Sequence, residues 1–272
     1  MNRDEKLVLI TNDDGISSPG LRAAAESLSK LAWVTVVAPR EQWSGAGRSL
    51  PQMTDGTINI HRHEIGGDHW EVYAVDGSPA QCVQHGILEI LPRRPDLVVS
   101  GINYGENVGS GVTISGTVGA ALEAASFGIP ALAISLETAK EFHLSHSDDI
   151  DFSAAAHFTR VFAELLLKVR LPADVNVLKV DVPAMATTET GWQVTRLSLQ
   201  PYFFPVKPQR DDLSTKGKMD YDRVIGPDLE PDSDVAVLIN QKMVSVTPLS
   251  LDLTSRIDLK AWERELKDLV NG

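Results

Sequence analysis

Leu7-Val8-Leu9-Ile10-Thr11-Asn12-Asp13-Asp14-Gly15 is the stretch on which the reading of the whole chain turns. Its continuous apolar run predicts a strand buried on both faces. The run stops at Asn-Asp-Asp-Gly, and Ser18-Pro19 then predicts a helix, with Ser18 as N-cap and Pro19 at the first helical position. Buried strand, acidic loop and helix form the first half of a βαβ unit. In open α/β sheets, ligands bind beyond the carboxyl ends of such strands. Two adjacent carboxylates at that edge repel unless a positive charge lies between them. Taken alone, Asp13-Asp14-Gly15 reads equally well as a turn.

Working outward, the alternation continues. After Pro19, Leu21, Ala24, Ala25, Leu28 and Leu31 share one helical face. Trp33–Ala38 is a second buried strand, followed by the polar loop Arg40–Gly47. Thr57–Ile60 and Trp70–Val75, separated by Gly66-Gly67, predict a hairpin. Ser78-Pro79 opens a helix to about Leu91 that contains Cys82. Asp96–Ser100 is the next parallel strand, and Gly101–Asn107 is its loop. Ser115-Gly116-Thr117 leads into a helix to Phe127, closed by Gly128. Ala131–Ser135 and Val175–Val182 are further strands. Between them Phe152–Val169 is a helix with Phe152, Ala155, Phe162, Leu165, Leu166 and Val169 inward. This rhythm predicts an α/β fold with a doubly wound, mostly parallel sheet.

Beyond about Pro183 the rhythm breaks. Residues 200–232 carry Pro201, Pro205, Pro208, Pro227 and Pro231 among many charges, which suits an extended arm or long loops rather than core. Val235–Asn240 and Val244–Thr247 read as a β-hairpin. Asp258–Val270 reads as an amphipathic helix with Leu259, Trp262, Leu266 and Leu269 on one stripe. The expected division is a catalytic core at 1–183 and a smaller part at 184–272 for subunit association, giving at least a dimer.

The 272 residues carry a net charge of −12, which argues against a nucleic-acid polymer as partner. One cysteine, Cys82, excludes an intrachain disulfide. The N-terminus Met1–Lys6 lacks a signal peptide's apolar core, and no apolar run reaches membrane-spanning length, so the cytoplasm is the expected compartment.

Three parallel strands lead into oxygen-bearing side chains at one sheet edge: Asp13 and Asp14, then Ser44, then Asn103. Two carboxylates, a hydroxyl and an amide carbonyl suit Mg²⁺ or Mn²⁺, whereas zinc would call for histidine or cysteine in these loops. The helix start at Ser115, Gly116 and Thr117 offers free N–H groups and hydroxyls to a phosphate, and reads equally as a plain N-cap. The glycines fit neither the dinucleotide nor the Walker pattern. Gly15 fills the second acidic position of an Asp-x-Asp nucleophile motif, which disfavours that class of phosphatase. His143 and His146, beside Asp148, Asp149 and Asp151, read as a solvated loop. His61 and His63 read as one exposed strand face, and Cys82 reads as core. Trp43 and Tyr104 suit either stacking on a base or core packing.

Six stretches then occur in order: Ile10-Thr11-Asn12-Asp13-Asp14-Gly15, Ser44-Gly45-Ala46, Val75-Asp76-Gly77-Ser78-Pro79-Ala80, Ser100-Gly101-Ile102-Asn103, Ser115-Gly116-Thr117-Val118-Gly119-Ala120-Ala121 and Ser245-Val246-Thr247-Pro248-Leu249. Together they resemble the survival protein E (SurE) family of metal-dependent nucleotidases. The resemblance implies a Rossmann-like core and a C-terminal part exchanged between subunits of a homodimer or homotetramer. It implies hydrolysis of nucleoside 5′- and 3′-monophosphates, and in some members of short polyphosphate. Its metal ligands fall on Asp13, Asp14, Ser44 and Asn103, for one Mg²⁺ or Mn²⁺ per subunit. Its phosphate contacts fall on Asn107, Ser115, Gly116 and Thr117. Asp13 and Asp14 are the expected catalytic pair, one as ligand and the other as base or nucleophile. Trp43, Tyr104 and residues 200–232 depart from the family pattern. The rival readings are a non-catalytic nucleotide-binding regulator and a phosphatase preferring short polyphosphate.

Overall fold

Leu7–Thr11 does form a strand, β1, in the computed structural model, which describes residues 5–143 and 145–271. Residues 1–4, part of the stretch read above for a leader, lie outside the described residues. The strand is buried along its whole length because it faces two cores. Leu7 and Leu9 pack into one apolar layer, Val8 and Ile10 into the other. Alternation of side chains across a strand makes this possible only for a continuous apolar run.

Helix α1 (Pro19–Leu28) starts as expected, with the Ser18 hydroxyl accepting the Leu21 N–H at 3.4 Å. β2 (Trp33–Pro39) pairs parallel with β1, but its first residue, Trp33, is exposed. The hairpin β3 (Ile58–Ile65) and β4 (Asp68–Val75) forms around Gly66-Gly67, and β4 joins β2 in parallel. Helix α2 (Pro79–His85) carries a capping box at Ser78 and continues as a π-helical turn, Gly86–Ile90, with Cys82 buried.

β5 (Leu97–Tyr104) is longer than the expected Asp96–Ser100. Its pairing with β6 (Ala131–Leu136) shifts register after Ser100 and resumes at Asn103, opposite Ser135. Asn103 is therefore carried on a strand and not in a free loop. Helix α3 (Gly116–Ser126) follows, capped by Ser115. In α4 (Ser153–Lys168), Phe152, Ala155, Phe162 and Leu166 face inward as expected, whereas Leu165 and Val169 are exposed. Phe158 takes the inward position, since the stripe runs 155, 158, 162, 166.

β7 (Val177–Val182) extends the sheet in parallel. Two strands from the later part complete it: β8 (Trp192–Val194) and β11 (Val244–Leu249), with β11 antiparallel to β7. The nine-stranded order is β3-β4-β2-β1-β5-β6-β7-β11-β8. The expected hairpin over 235–247 does not form, because Ala236–Asn240 is a π-helical turn. Ser233 Oγ accepts the Ala236 N–H at 3.2 Å and Asp234 Oδ1 accepts the Val235 N–H at 2.9 Å, so N-terminal capping decides a run that has no alternation.

The arm also departs from a plain loop. β9 (Phe203–Val206) and β10 (Asp220–Arg223) pair as a two-stranded ribbon. Tyr202, at its base, is buried with Val108, Val235 and Leu238. Helix α5 (Leu259–Asn271) leaves Leu259, Trp262, Leu266 and Leu269 exposed. Among the described residues, no helix is long and apolar enough to cross a membrane.

Candidate active site

β2, β1 and β5 are neighbours in the sheet and parallel, so their carboxyl ends open on one edge. There Asn12 closes the first loop on itself, its amide bonding the N–H and C=O of Gly15 at 3.2 and 3.1 Å. Gly15 has φ +99°, and a Cβ on it would meet the backbone of Glu41 at 3.2 Å. The Arg40–Gly47 loop is laid across this turn. The Trp43 N–H donates to the Asp13 carbonyl at 2.7 Å, and the Gly47 N–H to the Ile114 carbonyl at 2.9 Å.

Asp13 and Asp14 are 5% and 1% exposed. The Thr117 hydroxyl donates to Asp13 Oδ1 at 2.5 Å. The start of α3 comes this close because residue 116 is glycine, where a Cβ would lie 2.7 Å from Asp13 Cβ. The backbone donors of Gly116 and Thr117 also face the Asp13 carboxylate. Asp14 Oδ2 accepts the Tyr104 N–H at 3.3 Å, and Oδ1 faces Gln42 Nε2 at 3.4 Å. Burial raises the Asp13 carboxyl above its ordinary range, against the pull of Thr117. Asp14 is raised well above it, by burial first and the Asp13 charge second. Among the described residues neither has an ion-pair partner.

Gln42 links the other candidates. Its Nε2 donates to Ser44 Oγ at 3.0 Å and to the His143 carbonyl at 2.8 Å. Asn103 directs its amide nitrogen to the Gly105 carbonyl at 2.7 Å, which turns its amide oxygen the opposite way. Asp13, Asp14, Ser44 and Asn103 are thus joined through shared neighbours. A pair of buried, uncompensated carboxylates with a hydroxyl and an amide oxygen fits a hard divalent cation.

Asn107 lies further along the same edge. Its N–H donates to Asp181 Oδ1 at 2.7 Å and its side-chain amide to Ser135 Oγ at 2.9 Å. Behind it is a fully buried triad in which Lys179 pairs with Asp181 and, at 3.1 Å, with Asp234. Ser115 Oγ accepts the Val118 N–H at 3.1 Å, which leaves its own proton to donate elsewhere.

Several expectations are resolved here. Of the two readings of Tyr104, core packing holds: it is 3% exposed, lies edge-on to Phe152 at 4.9 Å and donates its hydroxyl to the Ser147 carbonyl at 2.9 Å. The loop carrying His143 and His146 is anchored to the sheet edge, although His146 itself is exposed as read. His146 Nε2 donates to the Asp14 carbonyl at 2.8 Å. His143 is half-buried between Tyr221 and Arg223, and burial, then the Arg223 charge, hold it down at about 4. Asp148 and Asp149 are exposed as read, and Asp151 accepts the Ser153 N–H at the start of α4. Sequence reasoning missed Gln42, His146, Glu106 and Arg223. Glu106 is 2% exposed, and burial pushes it up to about 7 against the pull of Arg223. The position of Glu106 between Asn103 and Asn107 was the one signal available.

The sequence model of the family described as Survival protein SurE matches residues 8–203. The 5'-nucleotidase SurE of Thermococcus gammatolerans is 39% identical over 265 residues, covering 97% of this chain and 96% of that protein. The 5'-nucleotidase SurE of Archaeoglobus fulgidus is 41% identical over 260 residues, covering 94% and 95%. Among solved structures, the SurE protein from Aquifex aeolicus is similar with a TM-score of 0.73 at 34% identity, covering 96% of this chain and 99% of that one.

Proposed function

The chain belongs to the Survival protein SurE family, and we propose from that premise that the Asp13–Asp14 edge hydrolyses nucleoside 5′-monophosphates to nucleoside and phosphate. The chain is an enzyme, a 5'-nucleotidase like its relatives. The observation that carries the chemistry is the pair of buried carboxylates set directly against the start of a helix.

Asp13, Asp14, Ser44 and Asn103 are the residues that would hold one Mg²⁺ or Mn²⁺ per subunit. Such a cation supplies charge to a phosphate oxygen and lowers the pKa of a water. The chain's own groups do the rest. The N–H groups of Gly116 and Thr117, the Ser115 hydroxyl and the Asn107 amide hold phosphate oxygens and oppose the charge that grows on them. Thr117 orients Asp13 through their hydrogen bond. One of the pair, Asp13 or Asp14, takes the proton from the attacking water or acts as nucleophile, and the other is a ligand. The site has one helix start, which suits a single terminal phosphate and favours monophosphates over long polyphosphate. We assign 1–183 to catalysis. Subunit association, as homodimer or homotetramer, falls to the arm and α5 in 184–272. The cytoplasm is the expected compartment.

Phosphate release from AMP, GMP, p-nitrophenyl phosphate and polyphosphate, in chelator and then with Mg²⁺ or Mn²⁺, tests this. Activity should vanish in chelator and return with either ion. Full activity in chelator would remove the metal, equal kcat/KM on AMP and polyphosphate would remove the substrate assignment, and binding of AMP without phosphate release would favour the regulator.

A further inference from the structure

Arg223 lies on β10, in the arm, yet its guanidinium ends between two segments that frame the site. Nη2 donates to Glu106 Oε2 at 2.8 Å and to the Thr138 carbonyl at 2.6 Å, and it faces His143 Nε2 at 3.2 Å. Glu106 belongs to the turn joining Asn103 to Asn107 and is also held by the Tyr202 hydroxyl at 2.8 Å. The His143 carbonyl anchors Gln42, whose Nε2 serves Ser44 and Asp14. The His143 ring is held in place: Nδ1 shares a hydrogen bond with the Tyr221 hydroxyl at 2.7 Å, while Nε2 lies 3.3 Å from the Thr138 carbonyl and 3.2 Å from Arg223 Nη2. Two routes thus run from one arm residue into the site.

We propose that Arg223 is a positioning residue for the reaction: it clamps Glu106 to His143, which fixes the Asn103–Asn107 turn on one side and Gln42 on the other. The arm is then a working part of the site as well as a surface for association. A planar, multi-donor guanidinium can hold a carboxylate, a carbonyl and an imidazole at once, which an ammonium on a flexible stem does poorly. Small displacements of positioning groups are costly to catalysis. The kinetic arm of the test rests on the nucleotidase reading; the exchange arm does not.

The test compares Arg223→Met, Arg223→Lys, Gln42→Ala and the Arg223→Met/Gln42→Ala double variant. Arg196→Gln, which loses only an exposed pair with Asp232, is the control. Arg223→Met should lower kcat/KM on AMP by about 10- to 100-fold, mainly in kcat, the range for groups that orient ligands. Arg223→Lys should recover part of this, and it carries the test should Arg223→Met fail to fold. The double variant should lie within about threefold of the worse single, because both act on one route. Without metal, hydrogen exchange should quicken in peptides spanning 101–109 and 40–44 and not in β1. Unchanged kcat/KM, fully multiplicative losses, or uniformly faster exchange with kcat intact would each overturn the proposal. Should the native chain release no phosphate at all, the nucleotidase reading fails alone. Exchange at 101–109 and 40–44 then decides: quickening supports the clamp, and unchanged protection overturns it.

Discussion

Replacing Asp13 with Asn removes one charge and almost no volume, which isolates what the carboxylate pair costs the fold. Both carboxyls are buried and raised, and at Asp14 the Asp13 charge adds to burial. Two unit charges about 5 Å apart repel by about 3 kcal/mol at an effective dielectric near 20. Asn keeps an oxygen for the Thr117 hydroxyl, so that bond survives the change. After relaxation, metal-free Asp13→Asn should be more stable than the metal-free native chain by about 1–3 kcal/mol at pH 8. At roughly 2–4 °C per kcal/mol the gain is easily resolved. The pH dependence has a definite sign. A carboxyl whose folded pKa is raised binds more protons folded than unfolded, so native stability falls as pH climbs from the ordinary carboxylate value through the raised one. The advantage of the variant is therefore full above that window and absent below it. Mn²⁺ should reverse the order, since a ligand at a hundred times its Kd stabilises by about 2.7 kcal/mol and the variant has lost a ligand. Activity should fall by on the order of 10²–10⁴. Calorimetry at pH 4 and pH 8, in chelator and in Mn²⁺, reads all of this. A variant that melts below the native chain at pH 8 in chelator would refute the reasoning.

Tyr104→Phe removes only a bond to the Ser147 carbonyl, so the ratio of kcat/KM on AMP to that on p-nitrophenyl phosphate should stay within about twofold, with a loss of about 1 kcal/mol in urea unfolding. Lys179→Met leaves Asp181 and Asp234 buried without their cation, and urea unfolding should show a loss of about 3–5 kcal/mol that Mn²⁺ does not restore. Leu266→Glu on the exposed stripe of α5 should leave kcat per folded chain intact while light scattering shows a smaller assembly. Mn²⁺ and AMP should each tighten the other by the same factor in calorimetric titrations, because coupling between two ligands is reciprocal.

What was legible in the sequence follows from how local the responsible physics is. β1, the Ser18 and Ser115 caps and the placing of Asp13, Asp14, Ser44 and Asn103 at or just beyond the carboxyl ends of neighbouring parallel strands are decided by neighbours in sequence and by the direction of those strands. The helical turn at Ala236–Asn240 was not legible, since the five apolar residues 235–239 carry no period and a two-residue cap settles the outcome. The extension of β5 to Tyr104 depended on β6 offering a partner at Ser135 beyond an irregular step. Arg223 and His146 were hidden for a different reason. Their roles arise between segments far apart in sequence: Arg223 meets Glu106, and His146 meets Asp14. No pattern in the arm or in the 143–151 loop marks them.

A chain with a net charge of −12 that acts on a phosphate faces a conflict of signs. Long-range attraction cannot bring the substrate in, so the favourable charge must be local. Here the local frame begins with two more negative groups, at a place where burial strengthens their repulsion. The helix start opposes them only in part, through dipolar donors already turned toward Asp13. Placing a divalent cation among these oxygens changes the sign of the edge in one step: it relieves the fold of its repulsion and gives an anionic ester a reason to enter. The instability of the empty pair and the affinity of the filled one are then two expressions of the same electrostatic arrangement, which is why stability in chelator and activity in metal should move in opposite directions when Asp13 loses its charge.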